Sequence, residues 1–114
     1  MAIMSEFIGK LRGGADIGVT PASASISGTT ASEVMHTVNV PPGETWIVAV
    51  VGTGVAGSND GAYMPRINIG GKRVPQSTGH FAAAAVMTES GDVIFESNST
   101  STSSFEGNIY TVTM

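Results

Sequence analysis

From Glu33 onward apolar and polar residues alternate with a period of two, so the chain reads as a series of short strands. Over 33–40, Val34, His36, Val38 and Val40 oppose Met35, Thr37 and Asn39, the pattern of a half-buried strand. Pro41-Pro42-Gly43-Glu44 supplies a turn, because proline presets φ and glycine accepts positive φ. Thr45–Val51 is apolar on both sides: Trp46, Val48 and Val50 on one, Ile47, Ala49 and Val51 on the other. That predicts a central strand covered on both faces. The loop 52–64 follows. Arg66-Ile67-Asn68-Ile69 alternates again, and Gly70-Gly71 before Lys72-Arg73-Val74 predicts a two-residue hairpin. Phe81–Thr88 contains four alanines, which propensity alone would allow as helix. It runs into the turn Glu89-Ser90-Gly91-Asp92, and a strand is predicted. Val93–Ser97 places Val93 and Phe95 on one face, and Gly107–Met114 sets Ile109, Thr111 and Thr113 against Tyr110, Val112 and Met114. About seven to eight short antiparallel strands separated by turns predict an all-β jelly roll or β-sandwich over 33–114.

The first 32 residues follow another pattern. Ile3, Met4, Phe7, Ile8 and Leu11 fall on one side of a short N-terminal helix with Ser5 as its cap. About three turns are marginal in isolation, so this stripe needs a partner: its own domain, or, as an assembly arm, a neighbouring subunit. Gly13–Ser32 is built from Gly, Ala, Ser and Thr without helical period. With Val19, Ile26 and Pro21 it reads as a linker containing an edge strand, and 1–32 is expected to be an arm and extended linker.

Gly52-x-Gly54-x-x-Gly57 directly after an apolar strand has the spacing of a dinucleotide-binding loop. That chemistry needs a helix N-terminus at the third glycine to hold the pyrophosphate. Here Ser58-Asn59-Asp60-Gly61 and Pro65 follow, which oppose a helix. Gly70, Gly71, Lys72 and Arg73 stand where an acidic ribose ligand belongs. The glycines are expected to form a loop, with no cofactor.

Composition narrows the picture. At 114 residues the chain forms one domain. Charged residues are 12% of it, against roughly 25% in ordinary soluble domains; Gly, Ser and Thr take their place, as they do where a surface faces other subunits. A net charge of −4 with five basic residues, Lys10, Arg12, Arg66, Lys72 and Arg73, offers no phosphate track for nucleic acid. No cysteine is present, so neither a disulfide nor a thiolate metal site can form. No signal peptide is expected, since the stretch before Lys10 is short and interrupted by Ser5 and Glu6. The run Trp46–Val51 is far too short to span a bilayer, so no membrane partner is expected.

Chemistry-bearing residues are dispersed. His36 lies in a strand pattern and His80 beside a turn, each without the clustered ligands or nucleophile that a metal site or general base needs. The carboxylates Asp16, Asp60, Asp92, Glu44, Glu89, Glu96 and Glu106 are scattered, and no Gly-x-Ser-x-Gly elbow occurs. Ser58-Asn59-Asp60-Gly61 fits an Asx-turn better than a calcium loop. Asn98-Ser99-Thr100 matches a glycosylation sequon but reads as a loop. Trp46 is expected in the core, with its N–H partnered. Tyr63, with Asn59 and Asp60, is the one aromatic position suited to ligand contact. No enzyme is expected.

Phe81-Ala82-Ala83-Ala84-Ala85-Val86 leading to Gly91-Asp92-Val93-Ile94, followed by Ser103-Ser104-Phe105-Glu106-Gly107-Asn108-Ile109-Tyr110, resembles the C-terminal half of trimeric C1q/TNF-like jelly rolls. It is similar to the small modules of that kind in bacteriophage head decorations and fibre tips. The likeness covers about a third of the chain; the small-residue lead-in and the arm depart from the receptor-ligand members and resemble virion docking arms. The resemblance implies a homotrimer with Phe95, Ile109 and Val112 at its axis. It further implies a capsid decoration or cement protein, assembled in the host cytoplasm into the virion against partners such as the major capsid protein. The alternative is a tail or fibre-tip adhesin that binds a host receptor or glycan through loops 52–64 and 97–104.

Overall fold

The computed structural model describes residues 17–114. The helix expected over 1–14, with Ile3, Met4, Phe7, Ile8 and Leu11, lies outside the described residues. The chain from Ile17 forms eight strands: β1 (Ile17–Ile26), β2 (Ala31–Val38), β3 (Trp46–Val55), β4 (Arg66–Ile69), β5 (Lys72–Pro75), β6 (Gly79–Met87), β7 (Gly91–Ser97) and β8 (Ser103–Thr113). They make two four-stranded antiparallel sheets, ordered β1-β8-β3-β6 and β2-β7-β4-β5. Apart from the β4–β5 hairpin, every connection crosses from one sheet to the other. This is the winding of a jelly roll, the two-sheet, eight-strand solution to closing a β core. No helix occurs among the described residues.

Alternation along each strand sends one set of side chains between the sheets. Val48, Val50, Ile67, Phe81, Val93, Phe95 and Ile109 are fully buried there, joined by Val38, Ile69 and Phe105. Gly70 and Gly71 turn the β4–β5 hairpin with φ of 57° and 100°, values a type I′ turn demands and a residue with a Cβ resists. The alanine-rich segment is strand β6, paired along its length with β3. There the tertiary ladder outweighs alanine's helix propensity.

Two expectations need correction. The arm-and-linker boundary at 32/33 falls inside β2, and β1 is a full ten-residue strand of the sandwich, paired with β8 from Ile17↔Val112 to Ile26↔Ser103. Its residues are small, yet Ala24 and Ile26 reach the core. The glycine motif is also not a loop at its start: Gly52 and Gly54 lie inside β3 and only Gly57 follows it.

The reason is aromatic packing. Gly52 and Gly54 stand on the inward face of β3, in register with Val48 and Val50. Phe81 on β6 pairs with Gly52 and Phe105 on β8 pairs with Gly54. A Cβ on Gly54 would lie 2.6 Å from the Phe81 ring, and one on Gly52 would lie 2.8 Å from the Phe105 ring. Without side chains between them the two rings meet across β3, near-parallel at 6.1 Å. Phe95, from the other sheet, closes the triangle at 6.1 and 6.3 Å. Such offset aromatic pairs contribute roughly 0.5–1.5 kcal/mol each beyond the area they bury.

Candidate functional site

An antiparallel sandwich normally turns polar residues outward on both sheets. The β2-β7-β4-β5 sheet obeys. Its outer face carries Arg66, Asn68, Arg73 and Glu96, and Glu96 Oε1 accepts from Arg73 Nε at 2.6 Å with Arg66 Nε 3.8 Å away. The two arginines therefore share one carboxylate instead of forming an open cationic track.

The β1-β8-β3-β6 sheet does not obey. Register aligns its outward residues in transverse rows: Ile17, Val112, Ile47 and Val86; then Val19, Tyr110, Ala49 and Ala84; then Pro21, Asn108, Val51 and Ala82. Asn108 is the single polar side chain in these three rows. With strands about 4.8 Å apart and outward residues about 6.8 Å apart, the block measures on the order of 400 Å². That area matches the largest apolar patch of an ordinary monomer, roughly 300–600 Å², so size alone does not decide its meaning. Its charge does: β1, β3 and β6 have no Asp, Glu, Lys or Arg at all, and β8 has only Glu106. Val19, Val51, Val55 and Val86 are each at least half exposed on this one face. The chain has placed most of its charged strand residues on one sheet and left three adjoining outward rows of the other almost wholly apolar. Thr45–Val51 was expected to be covered on both faces. It is central in its sheet, but among the described residues only its inner face is covered.

No protein-family model matches the chain, and no curated protein matches it.

The axis residues proposed from sequence are divided by the structure. Phe95 and Ile109 are fully buried inside one chain, so neither can meet a second copy without unpacking the core. Val112 does lie on the apolar outer face, in register with Ile17 and Ile47. Ile109 and Val112 are three residues apart on one strand, hence on opposite faces.

The ligand-loop residues gather at one end of the sandwich. Thr29, Gly57, Ser58, Tyr63, Asn98, Ser99, Thr100 and Ser101 line an open groove of about 330 Å³, with Tyr63 half exposed at its side. Several of the hydroxyl and amide groups at this end already serve backbone groups. Asn59 Oδ1 accepts from Thr78 N at 3.1 Å, Ser58 Oγ from Asp60 N at 3.1 Å, and Ser103 Oγ from Gly57 N at 2.8 Å. Ser97 and Ser99 hold Ser99 N and Ser101 N in the same way. Asp60 contributes its carbonyl oxygen to the turn, accepting from Tyr63 N and Met64 N. Asn59 is thus a structural tie, while the Asp60 carboxylate and the Tyr63 ring stay exposed at this end.

Among the described residues no three His, Asp or Glu stand close enough to hold a metal ion. His80 lies across the sheet from Glu106 with Thr53 between them. Trp46 packs against the core edge and donates its indole N–H to Glu44 Oε1 at 3.0 Å. The outer apolar face was the feature that strand-by-strand reading missed. Its signal was present in the two-sided apolar run at 45–51 and in four strands nearly free of charge.

Proposed function

We propose that this protein is a non-enzymatic assembly protein that associates with copies of itself through the outer face of the β1-β8-β3-β6 sheet. The observation that carries this reading is the block of three apolar outward rows on that sheet, whose outer face holds Glu106 as its one carboxylate, opposite a sheet whose outer face holds an Arg–Glu–Arg cluster. Interface cores are depleted in charge and enriched in apolar and aromatic side chains, and Tyr110 lies near the middle of this face. The resemblance to trimeric virion jelly rolls makes the specific form a homotrimer that decorates and reinforces a capsid. Its action is then mechanical: contacts spanning the joints between shell subunits must break before the shell opens. Val112, Val51 and Tyr110 take the place of Phe95 and Ile109 at the subunit contact.

Deleting residues 1–14 tests the decoration role. All eight strands begin at or after Ile17, so the truncated protein folds and keeps its own association but no longer joins the particle. Unchanged incorporation removes the arm from the mechanism. A second reading, an adhesin binding host glycans at the loop end, draws support from the half-exposed Tyr63 beside its groove. Saturable binding on a glycan array, lost in Tyr63→Ala, would favour it over the shell role.

A further inference from the structure

The two sheets end in four edge strands, β1, β6, β2 and β5, and an unprotected edge is a template for another strand. Three of them carry a recognised safeguard. β1 has Pro21, β5 has Lys72, Arg73 and Pro75, and β2 has Glu33 and a bulge between Val34 and His36. β6, Gly-His-Phe-Ala-Ala-Ala-Ala-Val-Met, has neither proline, charge nor bulge.

One position on that edge is closed from within. The Gln76 side chain, almost fully buried, accepts from Ala82 N at 2.9 Å and donates to Ala82 O at 2.9 Å. Its amide thus imitates one residue of a neighbouring strand. Because backbone groups of an antiparallel strand point alternately to either side, this bond fixes the parity: Ala82, Ala84 and Val86 direct N–H and C=O away from β3. Among the described residues no backbone or side-chain group bonds the outward N–H and C=O of Ala84 and Val86. Ala84 and Val86 are both exposed. A groove of about 290 Å³, lined by Val86, Met87, Gly70 and Gly71, leaves space beside the end of β6.

We propose that β6 pairs with β6 of a second copy, antiparallel about a twofold axis at Ala85, so that Ala84 faces the partner's Val86 and Val86 the partner's Ala84. The open slots favour this occupant over an unrelated strand. In that register the two free residues satisfy each other in both directions, and Ala82 would face Thr88, which lies beyond the strand's end at Met87. That slot would otherwise stay empty, and it is the one Gln76 fills. Small side chains at 82 and 84 let the strands approach, and the joined sheet continues the apolar outer rows from one copy into the next. The contact uses the edge and not the face, so it stands apart from the trimer reading and would link one such assembly to another.

Amide exchange followed residue by residue by NMR over a dilution series tests this on the full chain. Ala82 N–H should be protected at every concentration and His80 N–H at none. Ala84 and Val86 N–H should slow by roughly tenfold or more as the protein is concentrated. Ala84→Pro, which removes an N–H that serves no ladder bond among the described residues, should abolish the concentration dependence at Val86. Exchange at 84 and 86 as fast as at His80 throughout overturns the proposal. So does protection that persists at all dilutions and disappears when residues 1–16 are removed, which would make the chain's own leading segment the occupant. Val51→Glu should disperse face-to-face association while leaving the edge pattern intact. Loss of both together would make edge protection a by-product of face packing and refute the separate contact.

Discussion

Gly54→Ala is the sharpest test of why glycine stands in the middle of β3. An added Cβ meets the carbonyl oxygen of Ser104 on one side and two atoms of the Phe81 ring at 2.6 and 2.7 Å on the other. Neither can yield cheaply. The carbonyl belongs to β8, which is paired with β3 along its length, and Phe81 is fully buried between Phe95 and Phe105. Forcing a methyl group into a packed core costs about 1–3 kcal/mol. Moving Phe81 by about 1 Å also surrenders part of a ring pairing worth about 0.5–1.5 kcal/mol. Replacing glycine stiffens the unfolded chain and returns about 0.4–1 kcal/mol. The net is a loss of about 2 kcal/mol, which for a domain of this size lowers Tm by roughly 8–16 °C. Scanning calorimetry at one fixed protein concentration measures it. Gly61→Ala is the control, because Gly61 has open space around it and no positive φ. If Gly54→Ala melts with Gly61→Ala, the glycines are not making room for the rings and the packing argument fails. NAD or FAD should leave Tm unmoved in the native protein; stabilisation by either, abolished in Gly54→Val, would restore the phosphate-loop reading.

Other outcomes follow from the same geometry. Phe95→Ala should cost about 3–5 kcal/mol by denaturant unfolding while the folded fraction keeps its association state, because the ring is core and not axis; a change of mass with unchanged stability would reverse that assignment. Gln76→Ala strips partners from Ala82 N–H, Ala82 C=O and the Val74 carbonyl. It should cost about 1–3 kcal/mol and render the Ala82 amide exchangeable, which hydrogen exchange would show directly. Arg73→Ala should cost less than about 1 kcal/mol, since Arg73 is more than half exposed and its pair with Glu96 is screened; equilibrium unfolding at low and high salt checks both statements.

Much of this architecture is written in period-two alternation. The strands at 45–51, 66–69 and 93–97 and the Gly70-Gly71 hairpin are all visible there, because each has a clear apolar face or a turn that only glycine fits; over 33–40 the strand is visible but not its faces, since the bulge between Val34 and His36 turns Val34 outward, away from the face of Val38. β1 is harder to read. Its inward residues include Ala22 and Ala24 and its outward ones Ser23 and Ser25, so small side chains blur the alternation, and burial at 24 comes from β8 across the ladder. The glycines of β3 mislead for a related reason. What they accommodate, Phe81 and Phe105, comes from residues some 27 to 53 positions away. Alternation also shows that Ile109 and Val112 face opposite ways but not which way is inward. Burial decides, and it assigns Ile109 and Phe95 to the core. Parts of loops 52–64 and 97–104 meet at one end of the sandwich, but the hydrogen bonds that occupy Asn59 and Ser103 depend on partners far along the chain.

Mass in solution by sedimentation velocity bears most directly on the idea that the apolar sheet face is a subunit contact. The native protein should sediment as a multiple of its 11.6 kDa chain, with three copies the form the trimer reading requires. Val51→Glu, which sets a charge on that face, should sediment as a single folded chain at dilutions where the β6 edge contact is open. Val34→Glu, at an equally exposed valine on the opposite sheet, should behave as the native protein does. A native protein that remains a single chain at every concentration, or a Val51→Glu variant of unchanged mass, would contradict the account.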